Sequence, residues 1–444
     1  MRILFVAGNR EQLPDPVIPL GLLSVVAATP AGHEREVLDL CFETEPEAAL
    51  ARKLAEVGPD LVAMGIRNLH DNAYGPIDAS VAYYRGLVEV ARREAPGAWV
   101  VLGGGGFSVL PERLLEALGA DVGVAGEGET AFAELVEALA RGAPLASVPG
   151  ILWREDGRVR RAARPAAGVS LDAVAPIDRR LVDPRHYERC GTDSIQTKRG
   201  CPLRCTYCTY PTIEGRMHRL RDPELVADDF ARAREAGARH VFVVDAVFNL
   251  PARHALAVCD ALARRGDPLP WTSYVNPIGF SPEVARAMRR AGAVGMEVGS
   301  DSGDDDVLAR LEKGFDTRAI RQLREVARAA GLKDCHTFIL GTPGETIASV
   351  RRTLDFIVSL DPWGAILMLW NDEQESLDPA LAAARRGFRA EILALLEAER
   401  ARYPRWVIPQ LGVNFRARTF RLLRRRGLAG PLWQHLDRLG EGAP

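Results

Sequence analysis

Short apolar runs alternate with amphipathic helical patterns in two long series, and this alternation limits the fold more than any other feature of the 444 residues. The first series has strand patterns at 3–7, 36–40, 61–66, 99–103 and 122–125, with helical patterns between them. The second has strand patterns at 194–198, 241–245, 271–275, 295–299, 334–340 and 365–370. Strands kept apart by helices cannot close hairpins, so the chain predicts an α/β fold with parallel sheets under helical layers. Residues 1–145 are expected to form a doubly wound, Rossmann-like domain, and 191–375 a second body of six β/α units. Between them, 146–190 reads as a linker, with Pro149, Pro165, Pro176 and Pro184 and a hairpin pattern over 151–161. Residues 376–444 read as a small helical segment, with helices at 379–386, 390–402, 419–427 and 431–439.

Composition narrows the class. Apolar content of 47% with 26% charged residues is that of a globular protein, and a net charge of −2 gives no general pull toward nucleic acid or anionic membranes. Nearly all cations are Arg; only Lys53, Lys198, Lys313 and Lys333 are Lys, which reads as a composition bias and not as a binding surface. No run reaches the roughly 18–20 apolar residues of a membrane span. The opening Met1-Arg2-Ile3-Leu4-Phe5-Val6 passes directly into polar residues, as a first strand does and a signal peptide does not. Seven cysteines, three of them clustered, do not resemble a secreted disulfide framework, so a reducing, cytoplasmic location is expected.

The clustered cysteines, Cys201, Cys205 and Cys208, lie in Arg199-Gly200-Cys201-Pro202-Leu203-Arg204-Cys205-Thr206-Tyr207-Cys208. Thiolates are soft ligands suited to zinc or iron–sulfur clusters, and closed sites of either kind take four protein ligands. Only three are present, and Cys190 lies eleven residues ahead of Cys201 without a paired spacing. Three buried apolar cysteines, or zinc completed by a distant residue such as His218, would also satisfy the spacing. A cluster with one iron left open to an exogenous ligand accounts for it best.

With Tyr207 directly before the third cysteine, this stretch resembles the signature of the radical S-adenosylmethionine (SAM) superfamily. The resemblance implies a partial (β/α)6 barrel, a 4Fe–4S cluster on the three cysteines and SAM chelated at the open iron. Later elements agree in order. Asp245, at the end of the second barrel strand, is implied as a SAM contact, and Glu297, Ser300 and Asp301 resemble a G-x-[ED]-S element. Gly341, Pro343 and Gly344, in Gly341-Thr342-Pro343-Gly344-Glu345-Thr346, resemble the family's G-x-P-G-E-T loop beside the SAM adenine and ribose. Tyr274 and Asn276 are expected near the ribose or the substrate. Cys41, Cys190, Cys259 and Cys335 read as packed residues, since buried Cys behaves as a small hydrophobe.

The first series carries Gly103-Gly104-Gly105-Gly106 after its fourth strand and Gly126-Glu127-Gly128-Glu129 after its fifth. In this order the region resembles the cobalamin-binding domain that precedes many radical SAM domains. That implies Gly103, Gly104 and Gly105 along the cobalamin nucleotide tail, with Gly126 and Glu127 as further cofactor contacts. The Asp-x-His-x-x-Gly motif that supplies a cobalt ligand is absent from residues 8–14, and His70 stands elsewhere, after the third strand. Arg67 or Asn68, at the end of that strand, is therefore expected to face the lower side of cobalt.

Together these imply an enzyme that abstracts hydrogen through a 5′-deoxyadenosyl radical and C-methylates an unactivated carbon of a small-molecule, lipid or carrier-bound substrate. An electron donor such as flavodoxin or ferredoxin follows from the same resemblance. A cyclase or rearrangement enzyme on this scaffold, with cobalamin redox-active or structural, is the nearest alternative. A non-enzymatic cluster- or cobalamin-binding sensor is another. A nucleic-acid substrate is disfavoured by the balanced charge. Arg416, Arg418, Arg421, Arg424, Arg425 and Arg426 read as a solvated helix face, and Tyr403, Trp406 and Phe415 as core or pocket aromatics.

Overall fold

The computed structural model describes residues 1–12, 15–69, 77–163, 168–266, 268–370, 379–402, 406–407 and 424–439. The first series folds into a sheet of β1 (Arg2–Ala7), β2 (Glu34–Asp39), β3 (Leu61–Gly65), β4 (Trp99–Gly103) and β5 (Val122–Val124), all parallel, in the order 2-1-3-4-5. Ile3, Leu4, Phe5 and Val6 are wholly buried, because helices cover both faces. The strand order reverses between β1 and β3, and the crevice at the carboxyl ends of such strands is where doubly wound sheets hold ligands.

The hairpin expected in the linker belongs to this sheet. Its strands β6 (Ile151–Glu155) and β7 (Arg158–Arg161) add antiparallel to β5, with Leu152 opposite Gly123, and bury Ile151, Leu152 and Trp153. They cover what would be an open sheet edge. Asp156 and Gly157 both take positive φ, as a tight two-residue hairpin turn requires.

The second series supplies β8 (Thr192–Ile195), β9 (Lys198–Arg199), β10 (Arg219–Leu220), β11 (His240–Val243), β12 (Trp271–Val275), β13 (Gly295–Asp301), β14 (Lys333–Leu340), β15 (Gly364–Leu369) and β16 (Trp406–Val407). Seven of these form one parallel sheet in the order 16-15-14-13-12-11-8, curved as an open barrel, while β9 and β10 form a small ladder beside it. The strand expected at 194–198 is split in two. The backbone N–H groups of Thr197 and Lys198 turn to the Asp245 carboxylate instead of a strand partner.

Near the end of the sequence, helices expected at 379–386 and 390–402 form one helix, Pro379–Glu399. Gly387 costs about 1 kcal/mol relative to Ala, and burial of Ile392, Leu395 and Leu396 against the barrel outweighs it. A final turn, Leu432–Leu439, seals the amino end of the barrel with Leu432, Trp433 and Leu436 against Cys335. Arg424 is no solvated cation: its Nε donates to Asp15 at 2.7 Å, tying this end of the protein to the loop after β1. His70, Tyr403, Phe415, Arg416, Arg418, Arg421 and most of the helix expected at 419–427 lie outside the described residues, as does the Trp406 side chain.

Candidate active site

The cysteine loop leaves β9 through Gly200, whose φ is +84° and where a Cβ would stand 2.0 Å from the Met217 carbonyl oxygen. Only glycine can make that turn. The loop is then pinned by its backbone: Cys201 N–H donates to Gly215 O at 3.1 Å, and Thr206 N–H to Leu311 O at 3.1 Å. All three thiols are free; Cys201 is buried and Cys205 and Cys208 are half-buried. Burial raises the Cys205 and Cys208 thiols, and the Lys313 ammonium works against that rise. Among the described residues, one trio brings its ligand atoms within 4.8 Å of one another, Asp39, Cys41 and His186. The three loop cysteines are spread wider than a single metal ion would draw them. Three soft donors on a wide circle fit a multi-iron cluster, with no fourth thiol to close it.

The strand ends around this loop hold it by buried charge. Tyr207 donates its hydroxyl to Asp301 Oδ2, and Lys313 Nζ reaches the same oxygen at 2.6 Å and the Tyr207 hydroxyl at 3.1 Å. Asp301 stands at φ +61°, where β13 slips register against β14, and that bulge turns its carboxylate toward Tyr207. Asp245 is fully buried and accepts from Thr197 N–H at 2.7 Å, Thr197 Oγ1 at 2.5 Å and Lys198 Nζ at 2.7 Å. Its oxygens are occupied by the protein itself, so Asp245 anchors the stretch leading into the cysteine loop. Asp301 does the same from the other side.

Strand alternation separates the remaining candidates. Ser300 faces the helices, bonded to His336 Nδ1 at 2.7 Å, with His336 Nε2 on Asp334 at 3.0 Å. Glu297 faces the lumen but sits four residues below Asp301, roughly 13 Å deeper along the strand, where it meets Trp433. Tyr274 lies beside it on β12. The Asn276 backbone exchanges hydrogen bonds with the Asn249 side chain, and its own Oδ1 accepts from Ile278 N–H at 2.8 Å.

At the end of β14, Gly341 and Gly344 take φ of +87° and +76°, and Pro343 lies between them. Glu345 Oε2 closes this loop by accepting from Gly341 N–H at 2.7 Å and Thr342 N–H at 2.9 Å. Its Oε1 is buried without a partner, and so is Trp370 Nε1 at the end of β15. An orphaned acceptor and an orphaned donor at the mouth of the barrel are what a polar ligand such as SAM would satisfy.

The first domain presents its glycine turns to the same mouth. Gly104 has φ +100°, and a Cβ there would meet Ile66 O at 2.5 Å; at Gly106 it would meet Arg67 O at 3.1 Å. These glycines let the β4 turn lie against the end of β3. Gly103 and Gly105 leave more room: a Cβ would stand 3.6 and 3.5 Å from its nearest neighbour, and one on Gly105 would lie 3.7 Å from Ile213 of the cysteine-loop region. Ser108 joins the two turns, donating to Gly104 O at 2.7 Å and accepting from Gly126 N–H at 2.8 Å. Arg67 is exposed, with Asn68 folded back against it, and lies within electrostatic reach of Tyr210 and Tyr274 across the cleft. A glycine-lined crevice at the carboxyl ends of β3, β4 and β5 fits a large flat cofactor such as cobalamin.

Glu127 serves the joint between the domains. Arg199 Nη1 reaches Glu127 at 2.9 Å and its Nη2 reaches Glu129 at 2.5 Å, while Arg219 Nη2 lies 2.7 Å from Glu127. Burial works to raise the Glu127 carboxyl, and the guanidiniums of Arg219 and Arg199 overcome it and hold it below the usual range. The Gly-Glu-Gly-Glu element is therefore locked to the residue two places ahead of Cys201.

Lys198, Arg199, Arg219 and Ser108 were missed by sequence reasoning, while Lys313, followed by Gly314, already stood out as typical of the family. One signal was available: in a protein whose cations are almost all Arg, two of the four lysines, Lys198 and Lys313, are 2% and 4% exposed and ion-paired beside the cluster loop.

Three cysteines at the mouth of a parallel β/α barrel, facing a doubly wound domain across a clamped joint, define an iron–sulfur enzyme with a second cofactor domain. Comparison with known families agrees: residues 195–357 match the radical SAM superfamily and residues 9–136 the B12 binding domain. The protein belongs to the cobalamin-binding branch of the radical SAM superfamily and is an enzyme. Its cofactors are a 4Fe–4S cluster, SAM and cobalamin. It is 28% identical over 420 residues to a tryptophan 2-C-methyltransferase of Streptomyces laurentii, covering 80% of this chain and 70% of that one. An uncharacterized methyltransferase of Pyrococcus horikoshii is 26% identical over 81% of this chain and 78% of its own length. Among solved structures, the radical SAM methyltransferase TsrM of Kitasatospora setae, with cobalamin and a [4Fe–4S] cluster bound, superposes with a TM-score of 0.75 at 29% identity, covering 83% of this chain and 74% of that one. No helix among the described residues is long and apolar enough to cross a membrane.

Proposed function

We propose that this enzyme methylates an unactivated carbon of a small molecule held between the barrel mouth and the first domain. The observation that carries this reading is the closeness of Gly105 to Ile213, where a Cβ on the glycine would stand 3.7 Å from the Ile213 side chain, beside the clamp of Arg199 on Glu127 and Glu129. When bound, the cluster and SAM supply a 5′-deoxyadenosyl radical that takes hydrogen from carbon, and cobalamin supplies a transferable methyl group. Cys201, Cys205 and Cys208 would hold the cluster, with Glu345 and Trp370 offering polar atoms to SAM. Gly103, Gly104, Gly105 and Gly126 would line the cobalamin crevice, and Arg67 would face the lower side of cobalt in place of a histidine. The protein's own task is to hold these groups in line and keep water out.

One similar protein is named for methylating tryptophan, and a small nitrogen-containing molecule of that kind is the substrate class taken here. The electron would come from a flavodoxin- or ferredoxin-type donor, in a compartment reducing enough to keep all seven cysteines free.

The test is anaerobic purification with quantification of iron, sulfide and corrinoid, followed by reduction with SAM and candidate substrates. S-adenosylhomocysteine and 5′-deoxyadenosine in comparable yield, with product heavier by one CH₂, is the expected result. 5′-Deoxyadenosine alone, with an unmethylated product, would move the reading to a cyclase or rearrangement enzyme. Neither product would leave a binding protein.

A further inference from the structure

Glu297 is a carboxylate in the barrel lumen for which the described residues supply no cation. It projects from β13 between Tyr274 on β12 and Cys335 on β14. One oxygen, Oε1, accepts from Trp433 Nε1 at 2.8 Å, and Trp433 belongs to the turn that seals the barrel floor. The side chain is enclosed by protein, yet part of its surface opens into the lumen.

The groups facing it are Tyr274, the Cys335 thiol and, further off, Asp15, whose charge Arg424 already takes up. Burial and the nearby Asp15 push the Glu297 carboxyl up to about 7, and the Trp433 donor holds it from rising further. Around it the lumen wall carries Phe242, which meets Tyr274 edge-on at 5.0 Å between ring centroids, and Met368 on β15, which is 36% exposed. Tyr274 itself is 38% exposed although protein surrounds it, and it lies within electrostatic reach of both Glu297 and Arg67. Glu297, Tyr274 and Met368 each keep accessible surface at lumen-facing strand positions, so side chains do not fill the lumen there.

A buried carboxylate with a single neutral donor is costly unless something completes its shell. The surrounding strands offer nothing further, and the accessible side of Glu297 lies in the lumen. We infer that Glu297 is the substrate-recognition residue at the floor of the barrel, binding a protonated amine or N–H group of a molecule whose apolar, aromatic body lies against Phe242, Tyr274 and Met368. This rests on the methyl-transfer reading for its purpose but not for its test. It places Glu297 among the specificity determinants and removes it from the SAM-binding set, which stays at the strand ends.

The experiment is equilibrium dialysis of the full-length, cluster- and cobalamin-loaded protein without reductant. The probes are benzylamine, phenethylamine and tryptamine, each against its carboxylate counterpart. At about pH 8, where Glu297 is ionised and the amines are protonated, at least one amine is expected to be retained more tightly than its counterpart by roughly tenfold or more. Glu297→Gln should erase that preference, and Glu297→Asp should keep part of it. Trp433→Phe preserves the carboxylate but removes its donor, so the preference should persist with its pH midpoint moved upward. Equal retention of every pair, or a preference that survives Glu297→Gln, overturns the proposal. Assay of S-adenosylhomocysteine from the wild-type protein is independent. A clear amine preference without methyl transfer would sink the methyltransferase reading and leave the recognition site standing, and the converse would sink the site alone.

Discussion

Arg199 and Glu127 meet at 2.9 Å across the joint between the two domains, two residues ahead of the first cluster cysteine. The same guanidinium takes Glu129 at 2.5 Å, and both carboxylates are largely shielded from water. The joint is thus fixed beside the chemistry. Breaking a buried pair from one side costs about 3–5 kcal/mol, because the partner charge stays buried. Arg199→Met is expected to lose stability of that order in chemical denaturation and to weaken corrinoid retention. Arg199→Lys should recover little, since one ammonium cannot span two carboxylates. The double variant Arg199→Met/Glu129→Gln should recover part of the loss.

Gly200 and Gly215 offer a matched comparison. Both take positive φ, +84° and +85°, so an Ala at either carries a backbone penalty of about 1–3 kcal/mol. Only at Gly200 would the new Cβ strike backbone, 2.0 Å from Met217 O, whereas at Gly215 nothing lies within 4 Å. Gly215→Ala should cost little more than the conformational penalty and keep its iron. Gly200→Ala should displace the cysteine loop and lower the iron bound per protein, read by colorimetric iron analysis after anaerobic reconstitution.

Cys201→Ala, Cys205→Ala and Cys208→Ala are each expected to lose most bound iron and sulfide and all 5′-deoxyadenosine formation. Cys335→Ala should behave differently. Its thiol is fully buried beneath Trp433, and losing it should cost about 1 kcal/mol as a small cavity while iron content is unchanged.

Two carboxylates should give opposite slopes of stability against pH. Glu127 is held below its ordinary value of 4.5, so its contribution is complete above that pH and is lost as the pH falls through its lowered folded value. Glu297 is raised to about 7, so its contribution is complete below about 4.5 and is lost as the pH rises through 7. Glu297→Gln should therefore stabilise the protein at pH 8 and change it little at pH 5, measured as Tm of the cofactor-free protein. Glu127→Gln should destabilise it at both, because Arg199 and Arg219 lose a charged partner.

Much of the architecture was legible in the sequence because it depends on local pattern. The alternation of apolar runs and helices defines two parallel sheets, and the strands at 99–103 and 271–275 fall where the structure has them. The three cysteines were equally plain, since a C-x₃-C-x₂-C loop needs no distant residue to declare its chemistry. The carboxylates were a different matter. Asp245, Asp301 and Glu127 stand beside the expected motifs, but their charges are taken by Lys198, Lys313, Arg199 and Arg219, partners that no local spacing announces.

The sequence by itself determined the two β/α bodies and the soft three-donor loop, because hydrophobic period and ligand spacing are properties of neighbouring residues. Only the tertiary structure decided which carboxylate anchors the loop, which one clamps the domains and which one is left open in the lumen. A carboxylate's role is set by the cation, or the lack of one, that folding brings from far along the sequence: Glu127 meets Arg199 from another domain, while Glu297, among the described residues, takes its hydrogen bond from the neutral Trp433 of the sealing turn.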